Sequence, residues 1–202
     1  MKRSLFFLLG VGFMILTAGS PAAYQIGDTV GDFKLKNIDG KTVALSDYKN
    51  SKGVIIIFDC NTCPYSKAYT ERIIALDKKY DSQGFPVVAI NANSPEISPG
   101  DSFDEMVDRA KKKNYTFPYL VDETQGVAKA FGATNTPHVF VVVREGQDFK
   151  LAYIGAIDDN TRDGSQANKK YVENAVEALL AGKPVETPKT KAIGCGIKWK
   201  NS

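Results

Sequence analysis

Hydrophobic and polar positions change period several times along this chain, and the changes mark its elements. "GDFKLKNIDGKTVALSDYKN" alternates polar and apolar residues around a turn at Asp39-Gly40, predicting a hairpin of short strands, Phe33–Lys36 and Thr42–Leu45. "GVIIIF" (Gly53–Phe58) is an unbroken β-branched run, the signature of a central strand buried on both faces. From Pro64 the period becomes helical: Tyr65, Tyr69, Ile73, Leu76 and Tyr80 share one face, with Pro64 suited to a first helical position and Gly84 just past the end. "FPVVAINAN" (Phe85–Asn93) predicts a second buried strand. After the loop "SPEISPGD", Ser102-Phe103-Asp104-Glu105 reads as a capping box opening a helix. "FPYLVD" (Phe117–Asp122) predicts a third strand and "TQGVAKAFGA" a short helix. Thr136–Val143 and Lys150–Ile157 then form a strand pair around Glu145-Gly146. A last helix, about 168–181, turns Tyr171, Val172, Ala175, Val176, Leu179 and Leu180 inward and stops at Gly182-Lys183-Pro184. Strand–helix units followed by a strand pair and a closing helix predict an α/β domain with a mixed central sheet flanked by helices and preceded by an N-terminal hairpin.

Composition changes this picture at the two ends. The chain has 202 residues, enough for one domain with a sizeable core. Its start, "MKRSLFFLLGVGFMILTAGSPAA", runs from basic to apolar to small residues, the order of a secretory signal peptide cleaved near Ala22 or Ala23. The apolar run, Leu5–Ala18, is shorter than the roughly 20 residues of a spanning helix. The expected division is therefore 1–23 signal peptide, 24–182 folded domain and 183–202 basic tail, with the mature protein periplasmic or secreted and the membrane involved only through the signal. Net charge is +3, and removing Lys2 and Arg3 leaves +1, so nothing points to a nucleic-acid partner.

The chemistry gathers on three cysteines. Cys60-Asn61-Thr62-Cys63 sits where the buried strand turns into a helix, and Cys60 is expected at or just before the helix start, where unpaired backbone N–H groups favour a negative sulfur. At this spacing a disulfide is within reach, so Cys60 is expected to attack a substrate and Cys63 to resolve the mixed disulfide. Asp59 opposes a thiolate and Lys67 favours one. As a mere staple the pair would constrain the unfolded chain little. Thr136-Pro137 opens a strand after a loop and, in this order of elements, faces the cysteines. A cis bond there would leave the Thr136 backbone free to pair with a substrate chain, and the alternative is an ordinary trans proline entering a strand. Cys195 lies between glycines with Trp199 four residues on, a candidate third redox cysteine or a free thiol in a flexible tail. His138 is the only histidine. With Cys60 and Cys63 it composes a metal-binding or copper-chaperone alternative, although one C-x-x-C without a second close pair is half a zinc signature. Neither a metal nor an organic cofactor is expected, and no nucleophile elbow or phosphate loop is visible.

"GDFKLKNIDGKTVALSDYK", "CNTCPYSKAYTERI", "INANSPEISPGDSFDEM", "FPYLVDETQGVAKAFGATNTPHVFV" and "IGCGIKWK" together resemble the peroxiredoxin-like branch of the thioredoxin superfamily, of the alkyl hydroperoxide reductase/thiol-specific antioxidant type. The resemblance covers nearly the whole chain after the signal. It implies a thioredoxin-like fold, Cys60 and Cys63 as the redox pair, Pro137 as a cis-proline, and protein dithiols or disulfides, or an upstream thiol reductant, as partners. A peroxiredoxin carries a proline seven residues and a Ser or Thr three residues before its peroxide-reactive cysteine. Those positions hold Ile56 and Cys60 counted from Cys63, and Gly53 and Ile57 counted from Cys60. Thioredoxin has a tryptophan where this chain has Asp59. The reading is thiol–disulfide oxidoreduction, with hydroperoxide reduction as an alternative.

Overall fold

The computed structural model describes residues 22–200. The expected signal peptide therefore lies, except for its last two residues, outside the described residues. Among the described residues no helix is long and apolar enough to cross a membrane.

The run Gly53–Phe58 forms β4, with every residue buried. It is flanked by β5 (Val87–Asn91), parallel to it, and by β8 (His138–Glu145), antiparallel. Outward from β5 come β6 (Tyr119–Val121), then the hairpin β2 (Lys34–Asn37) and β3 (Thr42–Ala44). Outward from β8 come β9 (Asp148–Gly155) and β1 (Thr29–Val30), giving the order β1-β9-β8-β4-β5-β6-β2-β3. The strand period of two sends alternate residues of β4 to opposite faces. Ile55 and Ile57 enter one core with Tyr69, Ile73, Val172 and Val176. Val54, Ile56 and Phe58 enter the other with Leu45, Phe131 and Phe140. Each such buried side chain contributes about 1.5–3 kcal/mol, and β4 supplies both cores at once. Gly53 begins this strand because a Cβ there would run into the Val142 carbonyl oxygen and the Phe85 ring.

The helices follow the apolar period. They are α1 (Pro64–Tyr80), α2 (Phe103–Lys113), α3 (Gly126–Phe131) and α4 (Tyr171–Leu180). On α1, Tyr69, Ile73, Leu76 and Tyr80 are buried as the period requires, whereas Tyr65 is exposed, because the first turn belongs to the rim of the site. The capping box expected at Ser102 does not form. Ser102 is the N-cap of α2 but makes no side-chain cap bond, and its N–H already donates to the Pro99 carbonyl in the preceding short turn. Asp104 and Glu105 in the first turn and Lys111 to Lys113 in the last still match the helix dipole.

The strand expected over Thr136–Val143 is divided. Pro137 has no N–H to continue a ladder, and β8 starts only at His138. Asn135–Thr136 forms a separate strand, β7, paired antiparallel with β10 (Cys195–Gly196) in a small second sheet. The tail that carries β10 lies against the domain: Thr190 N–H bonds the Ile154 carbonyl, and Ile197 is buried in the second core.

Candidate active site

Strand β4 ends at Phe58 and α1 begins at Pro64, so Asp59 to Cys63 form the short bridge between the central strand and the helix. The N-cap of α1 is Cys63, with Pro64 in the first turn; Cys60 lies three residues upstream. This moves the helix-terminal position from Cys60, where the spacing suggested it, to Cys63.

The Cys60 thiol is fully buried, 3.0 Å from the Thr136 hydroxyl and 3.8 Å from that of Ser66. Cys63 Sγ is 3.2 Å from the Thr136 carbonyl oxygen and 2.7 Å from Cys195 Sγ, and it accepts the Cys195 N–H at 3.4 Å. The Thr136–Pro137 peptide bond is cis. Thr136 therefore contacts both sulfurs, through its hydroxyl to Cys60 and its carbonyl to Cys63. All three cysteines are free thiols.

The sulfurs differ in their hold on a proton. The Cys60 thiol, donating toward Cys63, holds Cys63 below the ordinary thiol range against the opposing effect of burial, with further help from Cys195 and the Ser66 N–H. Cys60 is driven up by that same partnership and by burial, the carboxylates Asp101 and Asp59 adding to it. Burial and the neighbouring Cys63 push Cys195 up to about 11. Of the three sulfurs, Cys63 at the helix N-terminus is thus the one whose surroundings most favour loss of the proton.

The two residues between Cys60 and Cys63 are fixed by a side chain the motif does not contain. Asp101 accepts the Asn61 N–H at 2.5 Å, the Thr62 hydroxyl at 2.7 Å, the Ser98 hydroxyl at 2.6 Å and the Asn93 amide at 2.9 Å. Burial raises the Asp101 pKa, but the hydrogen bonds from Ser98, Asn93, Thr62 and Asn61 outweigh it, and the net shift is downward. Arg109 on α2 donates to the Asn61 carbonyl at 3.2 Å and the Thr70 hydroxyl at 2.8 Å, and approaches Asp59 to 4.0 Å. Asp59 is buried with Oδ1 lacking any hydrogen-bond partner. Burial pushes its carboxyl up to about 6, against the pull of Arg109. Asp101 and Arg109 gave no sign in the sequence, since they lie about forty residues from the loop they hold; the run "SPEISPGD" read only as a loop.

His138 sits apart from this cluster. Its Nδ1 accepts the Thr134 N–H at 3.3 Å and its ring packs 4.6 Å from that of Phe140. Burial, with the charge of Lys189, lowers its pKa to about 4, so it is neutral at pH 7. Among the described residues no group of three or more His, Cys, Asp or Glu is arranged to hold a metal.

A mixed sheet with two parallel steps at its centre, a C-x-x-C where the central strand meets a helix, and a cis-proline beside the sulfurs define a thioredoxin-like α/β protein. Residues 26–147 match the model of the AhpC/TSA family, and the chain belongs to that family. It is 27% identical over 132 residues to the thiol-disulfide oxidoreductase ResA of Geobacillus thermodenitrificans, covering 64% of this chain and 70% of that protein. Among solved structures, an uncharacterized conserved protein from Geobacillus kaustophilus superposes with a TM-score of 0.82 at 38% identity, over 91% of this chain and 99% of the other. A hypothetical protein from Sinorhizobium meliloti 1021 gives a TM-score of 0.81 at 34% identity, over 89% and 97%. The family match ends before α4 and the tail, so Cys195 lies outside it.

Proposed function

We propose that this protein is a thiol–disulfide oxidoreductase whose redox couple is Cys60 and Cys63, acting on protein dithiols or disulfides after export. The observation that carries this reading is the C-x-x-C at the β4–α1 junction, with both sulfurs against Thr136. The name of the ResA relatives supports the same reaction. Export is supported by the basic–apolar–small order of residues 1–23. N-terminal sequencing of the protein recovered from an exported fraction tests it: a mature chain starting near Ala22–Tyr24 is expected, and an intact Met1 in the cytoplasm would overturn it.

Within the couple, Cys63 is the attacking sulfur and Cys60 the resolving one, the reverse of the order that spacing suggests. Cys63 is the N-cap of α1 and its sulfur meets Cys195 of the half-exposed tail, whereas Cys60 is enclosed against the Thr136 and Ser66 hydroxyls. Attack by the Cys63 thiolate on a substrate disulfide forms a mixed disulfide and releases one substrate thiol. Cys60 then displaces the second substrate thiol, leaving the Cys60–Cys63 disulfide. Polypeptide substrates fit the rim: of four large apolar side chains exposed among the described residues, Tyr65 follows Cys63 by two, Ile193 precedes Cys195 by two, and Ile97 adjoins Ser98, which bonds Thr62.

Reduction of insulin disulfides with a small thiol as electron source tests the reading. Cys63→Ser abolishes turnover, and a Cys60→Ser/Cys195→Ser double variant accumulates mixed disulfides on Cys63. Adducts on Cys60 in a Cys63→Ser background would reverse the roles. A wild type inert toward insulin and other protein disulfides would end the oxidoreductase reading.

A further inference from the structure

The edge expected to receive a substrate backbone is already occupied by the protein's own tail. Strand β10 pairs antiparallel with β7 in the register Cys195↔Thr136 and Gly196↔Asn135, so Cys195 lies opposite the residue that precedes the cis-proline. This pairing is held on both sides. Before it, the Asn135 amide donates to the Gly194 carbonyl at 2.9 Å. After it, the Ile197 N–H bonds the Thr134 carbonyl at 3.0 Å, the Lys198 N–H bonds Asn93 Oδ1 at 2.8 Å, and Gln125 Nε2 donates to the Lys198 carbonyl at 2.9 Å. Gly194 passes so close to the Thr136 carbonyl that a Cβ at this position would collide with it. The result is a cysteine delivered by a strand, in substrate fashion, with its sulfur 2.7 Å from Cys63 Sγ. A disulfide is about 2.05 Å long, so the Cys195 sulfur already lies within reach of Cys63 for thiol–disulfide exchange.

We infer that the segment Gly194–Gly196 is an internal substrate strand: Cys195 exchanges with the buried couple through Cys63, and the closed tail keeps extended polypeptides off the Thr136 edge. The inference rests on the proposed Cys60/Cys63 chemistry. The step is an isomerisation. The Cys195 thiol loses its proton and its sulfur attacks Cys63 Sγ of the Cys60–Cys63 disulfide. The Cys63–Cys195 bond forms, the Cys60–Cys63 bond breaks, and Cys60 leaves as a thiolate that takes up a proton. Nothing is oxidised or reduced overall. The disulfide moves from a sealed pair to one containing a half-exposed sulfur, where an external thiol meets it. The same displacement resolves a substrate held on Cys63, with Cys195 in place of Cys60.

Full-length wild type, Cys60→Ser and Gly194→Val test it. Each is reduced, treated with one equivalent of diamide, alkylated and mapped by mass spectrometry of non-reduced peptides. Expected are both Cys63-containing disulfides in wild type and a Cys63–Cys195 disulfide in most Cys60→Ser molecules. In Gly194→Val that species falls at least tenfold, and insulin reduction rises severalfold because the edge is freed. Two persistent free thiols in Cys60→Ser, or an unchanged disulfide map in a folded Gly194→Val, would overturn the inference. Should Gly194→Val not fold, the Cys60→Ser map alone decides. A wild type that forms Cys63–Cys195 yet never reduces a protein disulfide supports the tail pairing and removes the oxidoreductase reading instead.

Discussion

Asp59 and Asp101 are both buried carboxylates within the reach of one short loop, and their surroundings drive them in opposite directions. Asp101 is satisfied by four donors and holds its charge below the usual carboxylate range; Asp59 has one orphaned oxygen, a guanidinium only at 4.0 Å, and a pKa pushed up to about 6. Their contributions to stability therefore have opposite signs. For Asp59 the folded state favours the protonated form, so its contribution is fully present below the unfolded value near 3.8 and is lost as pH rises through about 6. The loss amounts to about 3 kcal/mol. Asp59→Asn is expected to flatten the pH dependence of stability between these values, leaving the variant more stable relative to wild type at pH 7 than at pH 4. Urea denaturation at the two pH values measures this, and an equal difference at both would contradict it. Asp101 behaves conversely, stabilising above the carboxylate range and losing that contribution as pH falls.

At the scale of elements, the C-x-x-C bridge has no internal reason to be rigid. Its Asn61 N–H and Thr62 hydroxyl are tied to Asp101, its Asn61 carbonyl to Arg109 and its Asn61 Oδ1 to the Tyr119 hydroxyl at 3.1 Å. The segment between β5 and α2 thus sets the sulfur geometry at the β4–α1 junction. Asp101→Asn turns an amide group toward donors that need an acceptor. The expected cost is about 2 kcal/mol of stability, and misplaced sulfurs lower insulin reduction by about tenfold or more. Paired denaturation and turnover measurements check both, and a variant that loses stability with full activity would show that the loop holds itself.

At the scale of the whole molecule, a second polar cluster secures the far side of α1. Arg72 pairs with Asp158 at 2.7 Å, the Tyr69 hydroxyl donates to the same carboxylate at 2.9 Å, and the guanidinium lies 3.7 Å from the Tyr69 ring centroid. This joins the helix that carries Cys63 to the segment following β9. Removing the carboxylate leaves the largely buried Arg72 without its counter-ion, held only by the Ala68, Asn160 and Thr161 carbonyls, and breaking such a pair costs about 3–5 kcal/mol. Asp158→Ala is therefore expected to lower the urea midpoint strongly while the diamide disulfide map of the folded protein is unchanged. A midpoint shift worth less than about 1 kcal/mol would place this pair among ordinary surface salt bridges.

By itself the sequence determined what neighbouring residues decide together. The run Gly53–Phe58 specified a two-faced central strand, Pro64 and the period of Tyr69, Ile73, Leu76 and Tyr80 specified α1, and the Cys60–Cys63 spacing at their junction marked the candidate site. Those signals are local because burial and backbone hydrogen bonding repeat over one or two turns or strand periods. The tertiary structure alone decided that Asp101 and Arg109 hold the bridge, and that Thr136 pairs with Cys195 rather than continuing β8. Ser102 shows the same limit, its capping pattern defeated by a bond to Pro99 that no pattern announces. Contacts such as Cys63 with Cys195, 132 residues apart, are chosen by how the whole chain packs, and no period along the sequence records them.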